Sequence, residues 1–164
     1  MGTIAISHPR IVKGGEQAPR DVIVKTAEAV VFGQMLGIDG DGLLVEGVTD
    51  MSNFYGTSKK TVTGDGTLTC PVNGINGETE IMMNVYHSNS ALSITAKSQV
   101  GQQYGVITDS TDPNILRIAL EDVSDKRVIV VGLACDLYKS EELLGDTHGR
   151  LIVKVLPNYI GFKP

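Results

Sequence analysis

Between Val100 and Leu156 short apolar runs alternate with clusters of turn-forming residues. The runs are 115–120, 127–133 and 151–156, and the clusters are Asp112-Pro113-Asn114, Ser124-Asp125-Lys126 and Gly145-Asp146-Thr147-His148-Gly149. Short β-branched runs bounded by Asp, Asn, Gly and Pro predict antiparallel strands. Strand side chains alternate between faces. Leu116, Ile118 and Leu120 therefore share one face, with Arg117 on the other. Leu151, Val153 and Val155 likewise oppose Ile152, Lys154 and Leu156. The middle run is apolar on both faces. Such a strand is expected to be covered twice, by a second sheet, a neighbouring segment or another subunit.

The pattern loosens upstream. Ile4, Ile6, Ile11 and Val12 are broken up by Pro9, Gly14-Gly15 and Pro19, which reads as an extended arm rather than a helix. An arm of this kind crosses its own domain or adds a strand to a neighbour's sheet edge. Residues 22–25, 29–32 and 43–45 are strand candidates. Ile38-Asp39-Gly40-Asp41-Gly42 reads as a hairpin connection, since Gly and Asp accept positive φ. Residues 50–77 are polar and turn-rich, an expected exposed lobe or hairpin with Val62, Leu68 and Val72 as anchors. From Glu78 to His87, Ile81, Met83, Val85 and His87 alternate with Met82, Asn84 and Tyr86. A further short strand is expected at 91–95. One helical turn is expected at 140–144, capped by Ser140 and stopped by Gly145. The fold class is therefore all-β: a compact barrel or sandwich of roughly ten short antiparallel strands. One domain spans 21–164, preceded by an arm over 1–20.

The 164 residues suffice for one domain with a real core. A net charge of −5 weighs against a nucleic-acid partner, which needs a basic face over the phosphates. No apolar stretch approaches the roughly 20 residues of a membrane helix, and the first residues lack the basic start and apolar centre of a signal peptide. Neither a membrane nor a nucleic acid is expected as partner. Cys70 and Cys135 are too few for a disulfide framework and too far apart for a zinc pair, so two free, buried thiols are expected, with a single disulfide as the less favoured alternative.

Candidate chemistry is sparse. Counted from Asp39 as a calcium loop, the fifth and twelfth positions hold Leu43 and Asp50, where an oxygen ligand and a Glu are wanted. There is no Gly-x-Ser-x-Gly elbow. Lys60-Thr61 lacks the second Gly of a phosphate loop. His8, His87 and His148 are scattered, giving no metal signature. His148 beside Asp146 reads either as a general base held by that carboxylate or as part of a turn whose Asp caps its own backbone; the second is favoured. No catalytic, cofactor or metal residue is assigned.

Several stretches carry a resemblance. They are Val100-Gly101-Gln102-Gln103-Tyr104-Gly105-Val106, then Lys126-Arg127-Val128-Ile129-Val130-Val131-Gly132-Leu133, then Gly145-Asp146-Thr147-His148-Gly149-Arg150 leading into 151–157. More loosely, residues 27–36 and Phe54-Tyr55-Gly56 belong with them. Together they resemble the capsid decoration (cement) proteins of tailed bacteriophages. Ala134-Cys135-Asp136 departs from the Pro-Asp step common there, and Val106 stands for Leu. The resemblance implies a non-enzymatic virion protein without cofactors. It would be made in the host cytoplasm and would sit on the outer capsid surface, stabilising the expanded head. Its partners would be the major capsid protein and itself, as a homodimer or homotrimer. Ile4, Ile6, Ile11, Val12 and Ile129 are the expected capsid or oligomer interface. The rival readings are a tail-tube or baseplate β-domain, and a small β-barrel enzyme or ligand binder using the region of Tyr104 and His148.

Overall fold

The computed structural model describes residues 2–14, 19–137 and 142–161. Within them lie thirteen strands: β1 (Arg10–Lys13), β2 (Arg20–Ile23), β3 (Ala29–Val30), β4 (Met35–Ile38), β5 (Leu44–Glu46), β6 (Phe54–Ser58), β7 (Val62–Thr63), β8 (Thr69–Gly74), β9 (Glu80–Tyr86), β10 (Gln103–Thr108), β11 (Leu116–Ala119), β12 (Val128–Leu133) and β13 (Arg150–Val155). One short helix, α1 (Ala134–Leu137), follows β12.

The stretch from 100 to 156 supplies β10 to β13, and with β9 these close a five-stranded barrel in the order β9-β11-β10-β12-β13, with β13 returning to β9. Closure removes the exposed edges that an open sheet would leave. The pairings are antiparallel except β9–β11, where Ile118 lies beside Val85 in parallel register. The alternation read from sequence holds: Ile81, Met83 and Val85 on β9 and Leu151, Val153 and Val155 on β13 all enter the barrel core. On the outer side of β13, Ile152 is buried with Met82 and Ala134, and Val12 packs against them.

The middle run behaves differently from expectation. Val128 and Val130 point inward and are buried. Ile129 is only half-buried and Val131 is exposed. The register slips between Val130 and Gly132, a bulge that leaves Val131 on the outside. Coverage is therefore complete on one face alone.

Five strands form the second sheet, in the order β2-β8-β6-β4-β5. A parallel bridge from Val24 to Leu44 brings its two ends together, around Val24, Val30, Leu36, Leu44, Tyr55, Cys70 and Val72. The hairpin expected at 38–42 joins β4 to β5. There Asp39 Oδ1 accepts from the amides of Asp41 and Leu43, each at 3.0 Å, and Gly42 takes φ +80°. The Asp-rich cluster thus builds the turn.

The stretch 50–77 is no lobe. It supplies β6, β7 and β8; β6 is buried throughout, and Met51, Phe54 and Ile75 belong to the same core cluster as the barrel interior. Its few large apolar residues are the ones that tie the two sheets into one body. Gly56 is required here, since a Cβ would collide with the carbonyl oxygen of Asn73. Residues 91–95 form no strand. Asn89 caps a 3-10 turn over Ser90–Leu92, and Ile94 makes a single bridge to Thr147. The helical turn expected at 140–144 falls partly outside the described residues. Its described part, 142–144, is not helical, because the side chain of Glu142 turns back to bind Arg150. Both cysteines are free; Cys70 is buried and Cys135 half-buried.

Candidate functional site: an arm latched over a buried arginine

Arg117 is the one charged residue in β11, between Leu116 and Ile118. Alternation aims it away from the barrel interior, yet it is only 3% exposed. A buried guanidinium needs a charge partner and acceptors for its protons. Nη1 donates to Asp109 Oδ2 at 2.8 Å, and Nη2 donates to the Val85 carbonyl at 2.6 Å and to His148 Nδ1 at 2.7 Å. The guanidinium also lies over the Tyr86 ring, 5.1 Å from its centroid. The hairpin register explains the pairing with Asp109: Ile107 faces Arg117 across β10 and β11, which puts Asp109 on the diagonal.

Asp109 is 5% exposed. Burial alone would raise its pKa, but the amides of Asp112 and Thr111 and the Arg117 guanidinium together hold it below the ordinary carboxylate value. His148 sits at φ +58°. Because Nδ1 accepts from Arg117, its proton belongs on Nε2 and the ring is neutral. Burial, then the adjacent Arg117 charge, push its pKa down, with Asp109 opposing. Ser93 Oγ lies 3.1 Å from the same Nδ1 and donates to the Val85 carbonyl.

The loop carrying His148 is anchored by two acids. Asp146 accepts from the amides of Leu143 (2.8 Å) and Gly2 (2.6 Å), which keep its pKa low. It therefore caps backbone, as favoured from sequence, and it also receives the arm. Glu142 accepts from the backbone amide and Nε of Arg150.

The N-terminal arm lies across this loop. Thr147 N donates to the Gly2 carbonyl at 3.0 Å, and Ile4 N donates to the Thr147 carbonyl at 2.9 Å. Asn84, on the outer face of β9, pins the next residues: it accepts from Ser7 N and donates to the carbonyls of Ala5 and His148. Of the two routes open to the arm, this structure takes the path over its own domain. The Gly2 carbonyl and the Ile4 amide are thus paired with Thr147, and the Gly2 amide with Asp146.

The residues expected at an interface occupy three places. Ile4 and Ile6 are half-buried in the latch. Ile11 packs on the main core and Val12 on the outer cluster over β13. Ile129 stands on β12, separated from β9 by β13. Tyr104 is in the barrel core, where burial raises its pKa. Sequence reading missed Arg117 and Asp109. The signal was one arginine inside an apolar run with an aspartate across the preceding turn.

A second acidic group lies at the far end of the β10–β11 hairpin region. Single carboxylate oxygens of Asp50, Asp122 and Asp125 lie within 4.8 Å of one another, so these are the described residues that could share a cation. Burial and the two neighbouring carboxylates raise the pKa of Asp50, while Asp122 is held low, chiefly by the Asp125 amide. Arg127 Nε binds the Asp50 carbonyl at 3.1 Å. Comparison with known protein families, with characterised proteins and with solved structures finds no match for the chain.

Proposed function

We propose that the chain is a capsid decoration protein of a tailed bacteriophage, a non-enzymatic part of the virion. It binds the outer surface of the major capsid protein lattice and stabilises the expanded, DNA-filled head, associating with itself as a dimer or trimer. One observation supports this reading most. The residues that carry the resemblance, 100–157, fold as a contiguous unit, four of the five barrel strands, and their Gly-Asp-Thr-His-Gly turn is where the arm is tied down. A small rigid body with an extended arm suits repeated docking on a lattice. There many weak contacts add by multivalency.

The test is co-sedimentation of the purified chain with undecorated phage heads, expanded and unexpanded. Saturable binding to expanded heads alone is expected, and removal of residues 1–7 weakens it while the barrel stays folded. Binding to neither form, with rings or tubes forming spontaneously, would instead indicate a tail component.

A further inference from the structure

Two adjoining concavities, of about 370 and 320 Å³, flank the chain where the arm enters β1. Pro9, Arg10, Phe32 and Gly33 border both. The first extends to His8 and Arg150, the second to Lys59 of the β6–β7 connection and Asn73 of β8. Phe32 is 63% exposed, although its backbone is fixed: its amide donates to Thr61 Oγ1, and Gly33 N donates to the Ser58 carbonyl, both at 3.0 Å. An apolar ring held out by an ordered turn costs little further ordering when something binds it.

Two of the three Lys and Arg residues that border this groove have no carboxylate partner. Lys13, Lys25, Arg117, Arg127, Arg150 and Lys154 each have a carboxylate partner. Arg10 and Lys59 have none among the described residues, as is also true of Lys60, Lys97 and Lys126 away from the groove lining, in a chain whose net charge is −5. At the inner end, His8 Nδ1 is buried without a hydrogen-bond partner. Finally, β1 is the edge strand of its sheet, with β9 on one side and no described strand on the other.

From this juxtaposition we propose that the groove between β1 and the β6–β8 wall binds an extended acidic segment of a partner protein. The segment lies along β1 as an added strand, its carboxylates meet Arg10 and Lys59, and an apolar side chain rests on Phe32. Strand addition takes affinity from main-chain bonds and specificity from alternate side chains. A nucleic acid fits less well, since two cations do not make a phosphate-spaced row and an open strand edge is matched by another main chain. The inference goes beyond the decoration reading, and its test needs no phage heads.

The full chain is immobilised and short peptides are selected on it from a random display library. Enriched peptides should be rich in Asp and Glu with an aromatic or β-branched residue among them. The best is synthesised with a fluorescein label and its affinity read by anisotropy. Lys59→Glu and Phe32→Ser should each weaken it about tenfold or more, as loss of a central contact does. Neither should move the melting temperature, because both side chains are exposed. A chain carrying Arg10→Glu with Lys59→Glu should regain binding to a peptide whose acids are replaced by Lys. The proposal is overturned by no enrichment, by peptides without acidic bias, or by affinity indifferent to these variants. Tighter binding of a labelled oligothymidylate in the same groove would also overturn it.

Discussion

Replacing Arg117 with Met keeps an unbranched apolar stem and removes the guanidinium with its charge. Arg117 and Asp109 are 3% and 5% exposed and 2.8 Å apart. Removing one member of such a buried pair costs about 3–5 kcal/mol, because the other charge stays behind without its partner. Here Asp109 keeps the amides of Thr111 and Asp112, which places the expected loss near the lower end, about 3 kcal/mol. The Val85 carbonyl and His148 Nδ1 each lose a donor as well. Against a total stability of about 5–15 kcal/mol this is a large fraction. The double variant Arg117→Met with Asp109→Asn removes both charges, and its Asn oxygen can still accept from the two amides. It should recover most of the loss, to within about 1–2 kcal/mol of the parent. Urea unfolding followed by far-UV circular dichroism measures both. The midpoint should fall in the single variant with the slope unchanged, since the surface exposed on unfolding is the same. A single variant that loses less than about 1 kcal/mol would mean that the pair is not holding the loop and hairpin together. So would a double variant no more stable than the single.

Two further outcomes follow from the same geometry. The pKa of His148 is lowered by folding, so between that value and the unfolded value of about 6.5 the unfolded chain binds one more proton. Stability is then fully present above about pH 6.5 and falls as pH drops through that window, by at most about 1.4 kcal/mol per pH unit. Melting in a buffer series should show this slope, and His148→Asn, which tolerates the left-handed backbone, should flatten it; an unchanged slope would exclude His148 as its source. On β12, Val130 is 1% exposed while Ile129 is half-buried. Val130→Asp should abolish soluble folding, because a charge buried without a partner costs several kcal/mol. Ile129→Asp should melt within a few degrees of the parent. Thermal melts of the pair decide this, and equal loss in both would mean that the inward face of β12 has been misassigned.

What the sequence determined by itself was local. Period-two alternation placed Ile81, Met83, Val85, Leu151, Val153 and Val155 in the core, because a strand whose faces differ in polarity has one way to bury its apolar side. The Gly- and Asp-rich turns were equally readable, since positive φ and side-chain capping are properties of a few consecutive residues. So was the backbone-capping role of Asp146. The tertiary structure decided the rest. Met51, Phe54 and Ile75 lie in a stretch that reads as polar, with Val62, Leu68 and Val72 as its expected anchors, and only the packing of one sheet on the other made them core. Ile129 faces outward beside Lys154 of β13, and nothing described covers it fully. Arg117 read as an outward-pointing charge, and outward on a barrel strand means solvent unless something crosses it. Here the loop holding His148 crosses it and the arm crosses the loop. The chain-distant segments meeting at Arg117, from residue 2 to residue 148, leave no local pattern, because contacts of this range depend on topology rather than on periodicity.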